Sequence, residues 1–279
     1  EGTEHWHAPQ AVTAINLPDS LQSLLMARID RLSSDQQRVL QIAAVIGSVF
    51  WSDVLSHLEQ PETTSLKSKL TALQRGQFIT ERGRTSNLGI EYVFKAKLIR
   101  DAAYESLLKP QRKSYHLQIA QYLEDRLRQE QTSSQARSVA YGSLAHHYRQ
   151  AGRLDKELQY TLKNAELAKE LYANVEASGL YSEALALLDE IKTDVEDESE
   201  LHDLKAQRLQ ILMGRYSVHH LLGEFEQMRA DAQALLPLAR ELSDDVTWLI
   251  DSLLCQPGVG RFERKEEIEV GLDLAQEAL

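Results

Sequence analysis

Between Val49 and Lys97 the apolar period of this chain changes, and a purely helical bundle cannot accommodate the change. Upstream, Leu21, Leu24, Leu25, Ile29 and Leu32 recur at helical spacing, as do Val39, Leu40, Ala43, Ala44 and Ile46 before Gly47. Then Val49-Phe50-Trp51 is too short for anything but a strand, and Ser52 or Asp53 offers a cap for a brief helix through Leu58, bounded by Pro61. A helix over Thr63–Gln74 follows, with Leu66, Leu70 and Leu73 one, two and three turns along and Gly76 at its close. Gln77–Glu81 and Ile90–Phe94 alternate with period two around a connection containing Gly83, Asn87 and Gly89, which reads as a β-hairpin. Helix, strand, helix, helix, hairpin is the order of a winged helix-turn-helix. Further helices are expected from about Ile99 to Leu108 and from Gln111 to about Gln129.

After a polar stretch at Gln129–Ala136 the chain reads as helical hairpins with turns at Gly152, Asn174, Gly223 and Gly260. Gly152 and Gly223 are 71 residues apart and Gly223 and Gly260 are 37 apart, near two units and one unit of a 34-residue tetratricopeptide period. The expected fold is therefore mostly α, a winged helix with a small hairpin followed by an α-solenoid of tetratricopeptide-like hairpins. Its domains are 1–32, an N-terminal loop and helix, 33–130, the winged helix with its following helices, and 131–279, the repeats. The 13 glycines and 6 prolines in 279 residues, well below average usage of about 12% for the two together, agree with a helix-rich chain.

The net charge of -11 argues against nucleic-acid binding by the chain as a whole, yet its distribution is uneven. Residues 63–113 hold eleven basic side chains against four acidic ones, leaving -18 elsewhere. Placing the leucines of the Thr63–Gln74 helix inward leaves Thr64, Ser68, Thr71 and Arg75 outward with Lys67 and Lys69 flanking, residues suited to phosphates more than to base edges. Arg82 and Arg84 in the wing add to this candidate set of docking or phosphate contacts. In the acidic repeat region Tyr148, Tyr181 and Tyr216 are candidates for an aromatic partner groove, or else ordinary packing residues.

Catalytic and cofactor chemistry is not expected here. A G-x-x-x-x-G-K-[ST] phosphate loop does not occur in the sequence, and Gly258-Val259-Gly260 has neither the third glycine nor the preceding strand of a nucleotide turn. The adjacent pairs His146-His147 and His219-His220 point about 100 degrees apart on a helix, unlike the i, i+4 pair that shares a metal. Cys255, the one cysteine, reads as a small buried hydrophobe and allows no internal disulfide; the acidic Glu196-Asp197-Glu198 reads as a solvated loop. No segment approaches the ~20 apolar residues of a membrane span, so a cytoplasmic location is expected. The missing initiator Met and the helical pattern running into Leu279 read as a fragment.

Two phrases carry a resemblance: Leu17-Pro18-Asp19-Ser20-Leu21 through Arg28-Ile29-Asp30-Arg31-Leu32 to Ala43-Ala44-Val45-Ile46-Gly47, and Phe94-Lys95 with Leu98-Ile99-Arg100-Asp101-Ala102-Ala103-Tyr104-Glu105-Ser106-Leu107-Leu108. With Leu144-Ala145-His146-His147-Tyr148 and Ala151-Gly152, they resemble the part that follows the nucleotide module in bacterial multidomain signalling ATPases, of the AAA or STAND type associated with class III adenylate and guanylate cyclases. Ala96 stands where a histidine commonly follows the aromatic-basic pair. The resemblance implies a non-catalytic regulatory portion, its winged helix docking on an upstream ATPase module and its repeats binding a protein partner. ATP and Mg²⁺ would belong only to that upstream module. The alternatives are a transcriptional regulator whose winged helix binds DNA and a fragment of a polypeptide with cyclase activity upstream.

Overall fold

The computed structural model describes residues 19–59, 65–85, 88–129, 133–193 and 197–242. The expectations for 1–16, Leu17, Pro18, Thr64, Glu196, Cys255, Gly258–Gly260 and the helix at Leu272–Leu279 lie outside them. The described residues are mostly helical with one small antiparallel sheet, and the chain divides into two compact units, 1–119 and 120–279.

In the first unit, α1 (Asp19–Ile29) precedes α2 (Ser34–Ile46). Ser33 caps α2 reciprocally: the Gln36 N–H donates to Ser33 Oγ at 3.4 Å, and the Ser33 N–H donates to Gln36 Oε1 at 3.2 Å. Two otherwise unpaired donors are thereby satisfied where the apolar run begins. β1 (Val49–Trp51), α3 (Ser52–Leu58), α4 (Leu66–Arg75), β2 (Ile79–Thr85), β3 (Gly89–Phe94), α5 (Lys97–Glu105) and α6 (Lys109–Gln129) follow, the last running past residue 119. β3 lies between β1 and β2 and is antiparallel to both, pairing Phe50 with Tyr92 and Ile79 with Phe94. Phe50 is fully buried at the centre, its ring stacked on Tyr92 at 5.6 Å and tilted against Phe94 at 5.4 Å.

Three local expectations are corrected. Ser52 and Asp53 do not cap α3, whose N-cap is Trp51; Ser52 Oγ accepts the Ile90 N–H at 2.9 Å and so latches the returning strand. A Cβ at Gly89, where φ is +81°, would stand 2.2 Å from Asp53 Oδ1 and 2.3 Å from Ser52 Oγ, so that latch requires glycine. β2 continues to Thr85 because a bulge between Glu81 and Gly83 absorbs one residue and keeps the ladder going. α4 begins at Leu66, later than expected, because Ser65 is the residue whose hydroxyl caps it.

In the second unit, α7 (Ser134–Ala151), α8 (Leu154–Glu170), α9 (Asn174–Lys192), α10 (Glu198–Leu222) and α11 (Phe225–Leu242) each pack on the next, and α8 also meets α10. Short connections reverse the chain at each step. Gly152 and Gly223 end α7 and α10 in the left-handed region at φ 76° and 72°. The α8–α9 turn is made instead by Tyr172 at φ 59°, and Asn174 is the first residue of α9 rather than a turn residue. Three helices lie between Gly152 and Gly223, so the two glycine turns fall at opposite ends of the stack and are not equivalent points of a two-helix repeat. Alternate helices begin at Ser134, Asn174 and Phe225, 40 and 51 residues apart, longer than the 34-residue period expected.

Gly214 lies in α10 directly against the Tyr181 ring of α9, where an added Cβ would stand 2.7 Å from two ring carbons. Helix propensity favours Ala over Gly by about 1 kcal/mol. That gain is outweighed where the ring is buried and anchored, since overpacking costs about 1–3 kcal/mol. Gly214→Ala is expected to lower Tm, while Gly179→Ala in α9, whose Cβ would meet nothing within 4 Å, raises it. Thermal unfolding of the two variants followed by circular dichroism checks the opposite signs.

Candidate docking and phosphate-contact surface

The candidate basic face of the first unit is taken from α4 and the hairpin, while Lys95, Lys97, Lys109 and Lys113 are exposed further along the same stretch. Lys67, Arg75, Arg82 and Arg84 are exposed on that face, with Arg82 reaching to 3.8 Å from Glu91. Lys69 does not belong to this face. Three residues after Leu66 and four before Leu73, it falls on the inner stripe of α4 and is 2% exposed, its Nζ 2.5 Å from Glu59 Oε1 and 3.9 Å from Asp35 Oδ2. The Thr71 hydroxyl donates back to the Lys67 carbonyl at 2.8 Å. What α4 offers outward is then Lys67, Ser68 and Arg75, which suit a phosphate or carboxylate.

Other members of the basic stretch also face inward partners. Arg100 donates to the Ala44 carbonyl at 3.3 Å and meets Asp101. Arg112 donates to the Leu107 and Glu105 carbonyls at 2.9 and 2.8 Å while covering the Tyr104 ring. These guanidiniums fasten the end of α5 to the start of α6, so the basic excess counted along the sequence overstates the positive surface.

A cleft of about 450 Å³ opens beside the Lys69–Glu59 pair, lined among others by Arg38, His57, Glu59 and Tyr115 from α2, α3, the residue after α3 and α6. Its size suits a small molecule, and its lining mixes both signs of charge.

In the second unit the three candidate groove tyrosines are interior. Tyr148, Tyr181 and Tyr216 are all buried and cannot line an open groove. Tyr148 stacks on Tyr160 at 5.8 Å and donates its hydroxyl to Glu124, and Tyr181 donates to Glu166 at 2.6 Å. Burial pushes the Tyr216 phenol up to about 12. Burial and the Glu124 carboxylate together push the Tyr148 phenol up as well.

Glu124 itself is nearly buried, which alone would raise its pKa, but hydrogen bonds from Tyr148, Tyr160 and Lys156 outweigh burial and hold it at about 2. Lys156 Nζ and Arg128 Nη2 stand 3.2 and 2.6 Å from the same oxygen.

A further constellation has no local signature in the sequence. Ser178 Oγ is 2.9 Å from His219 Nε2, His219 Nδ1 is 2.9 Å from Asp231 Oδ2, and Arg215 Nη2 is 2.5 Å from Asp231 Oδ1. The first three lie in the order nucleophile, base and orienting carboxylate. Arg215 already compensates the buried Asp231, however, and the four side chains come from α9, α10 and α11, so the cluster acts as a clamp across three helices. Of the four, only His219 stands out in the sequence, as half of the adjacent pair His219-His220.

The chain matches no known protein-family model and no curated protein.

The two lysines of α4 make opposite predictions. Lys69→Ala leaves Glu59 without its principal ion-pair partner and is expected to destabilise by about 3 kcal/mol, whereas Lys67→Ala leaves stability within about 0.5 kcal/mol. Urea unfolding measures both. A pH dependence follows from Glu124, whose folded pKa lies below its ordinary 4.5. Its contribution to stability is complete above about 4.5 and disappears as pH falls through about 2. Glu124→Gln is expected to flatten the acid limb of a Tm-against-pH curve over that window while lowering Tm at neutral pH.

Proposed function

We propose that the chain is the non-catalytic, regulatory portion of a signal-transduction ATPase, with a winged helix that docks on a nucleotide module and helical repeats that engage a protein partner. The observation that carries this reading is the outward face of α4. Of the outward residues Lys67, Ser68 and Arg75, only Arg75 has the planar fork or amide of a DNA-reading helix that grips two base-edge atoms at once, and Lys69 is held inside by Glu59, so the face is better supplied for phosphate or carboxylate contacts than for reading a sequence. The order α2, β1, α3, α4, β2, β3, with β3 between the other strands, supports the winged-helix assignment. The succession of packed helices α7 to α11 supports a solenoid related to tetratricopeptide arrays, with longer helices than theirs.

The resemblance of the Leu17–Gly47 and Phe94–Leu108 phrases to cyclase-associated signalling ATPases supplies the nucleotide module to which the basic face would dock. A phosphate-loop sequence within roughly 300 residues upstream in the coding sequence is therefore expected. ATP with Mg²⁺ is not expected to bind the chain alone, and calorimetry showing micromolar binding would contradict that.

DNA binding through Lys67, Arg75, Arg82 and Arg84 is the competing reading, since all four are exposed. Fluorescence anisotropy with several unrelated duplexes separates the two. Docking predicts weak binding without sequence preference that falls steeply with salt, as counterion release requires. Nanomolar binding confined to one duplex at about 0.15 M salt would replace docking with transcriptional regulation.

A further inference from the structure

Every exposed large apolar side chain among the described residues of the second unit lies at one end of the helical stack. Val139 (72% exposed) is in the opening turns of α7, Leu171 (49%) and Tyr172 (83%) form the α8–α9 turn, Val175 (76%) opens α9, and Leu221 (54%) is in the last turn of α10. Because successive helices reverse direction, the start of α7, the end of α8, the start of α9 and the end of α10 share that end. The Ser138–Asn164 and Ser178–His219 bonds, at 2.8 and 2.9 Å, tie these levels together laterally.

Tyr172 supplies an independent observation. It occupies the left-handed region at φ 59°, where a bulky L-residue is strained by about 1–2 kcal/mol, while the comparable positions at Gly152 and Gly223 are glycine. Its ring points to solvent, so packing within the second unit does not offset that strain. A contact outside the chain would.

The surrounding charges indicate what kind of surface fits. Glu166 and Glu224 face Tyr181 and His219. With them, Arg137, Lys163, Lys169 and Arg229 stand against Glu166, Glu170, Glu176, Glu224 and Glu226 on the same helix ends, four cations to five carboxylates, so neither sign dominates strongly although the chain carries -11. A strongly charged partner finds no complementary field here, whereas a second copy brings the same balanced set and is not repelled. The five exposed side chains present roughly 600 Å² per copy if each residue offers on the order of 150–230 Å² in full, so a pair would bury about 1,200 Å² in all, at the lower limit of specific interfaces.

We propose that this end of the stack is a self-association surface, through which two copies pair about a twofold axis with the Tyr172 rings at its centre. The contact buries the apolar end, and its area is enough for a specific but small interface. The proposal rests on the second unit alone and does not depend on docking by the first.

Sedimentation velocity of the full chain, with reductant to exclude a Cys255 disulfide, tests it between about 1 and about 200 μM. The expected result is a concentration-dependent monomer–dimer equilibrium whose Kd rises at least tenfold in Tyr172→Asp and in Val175→Asp and is unchanged in Leu108→Asp, an exposed apolar position in the first unit. Tyr172→Gly guards against misfolding as the cause: it relieves the backbone strain, so it should raise the Tm of the monomer while abolishing the dimer. A chain that stays monomeric to about 200 μM overturns the proposal, including when it forms a Tyr172-dependent complex with an amphipathic peptide instead. A dimer weakened equally by Leu108→Asp, or untouched by Tyr172→Asp, overturns it as well.

Discussion

No helix of the second unit can bury its apolar stripe alone, and the close approach of α9 to α10 at Tyr181 and Gly214 is where that dependence is most acute. An aromatic ring lies against backbone because the facing residue has no Cβ. Its hydroxyl, which would otherwise be stranded in the interior, reaches Glu166 on α8. One side chain thus fixes the spacing of α9 and α10 by contact and the position of α8 by a hydrogen bond. Ala177, Ala184, Leu212 and Tyr216 join the same core, and Met228, Ala232 and Leu235 extend it to α11.

Both units place charge inside and neutralise it there. Lys69 meets Glu59 in the first unit; Glu124 with Lys156 and Arg128, and Asp231 with Arg215, do the same in the second. Apart from Glu124–Arg128 within α6, each pair links different elements, which gives packing a register that interchangeable apolar side chains do not supply. The consequence for function is subtraction. A charge held by an internal partner contributes little to an outside surface, so Lys69, Arg100 and Arg112 drop out of the basic stretch at 63–113, leaving exposed Lys67 and Arg75 on α4, Arg82 and Arg84 on the hairpin, and Lys95, Lys97, Lys109 and Lys113 after it.

Much of the architecture was legible because it depends on period and capping. The alternation at Ile90–Phe94 and the glycine turns at Gly152 and Gly223 carry local signals, and each appears as an element or an element boundary. The bulge after Glu81 was hidden because Gly83 within a polar stretch resembles a turn and only pairing with Glu91 reveals a strand. The tyrosines were ambiguous for a chemical reason: an aromatic ring with one polar atom serves an interface or a core equally well, and the choice rests on whether a carboxylate such as Glu124 or Glu166 lies within reach. Lys69 could have been placed by its spacing from Leu66, but residue type argued for the surface, and Glu59 reverses that preference only through tertiary contact. The clamp of Ser178, His219, Asp231 and Arg215 had no sequence signal, because it forms only when three helices meet.

The turns of the stack show how one backbone requirement leads to two different outcomes. A helix that must reverse tightly needs a left-handed residue, and glycine meets the need without strain at Gly152 and Gly223. At the α8–α9 turn the same geometry is imposed on Tyr172, where the strain is retained and the ring is left outside. Stability alone would favour glycine there as well. The aromatic at that position therefore reflects a demand on the surface rather than on the turn, and it lies at the end of the stack where the unit's other exposed apolar side chains also gather.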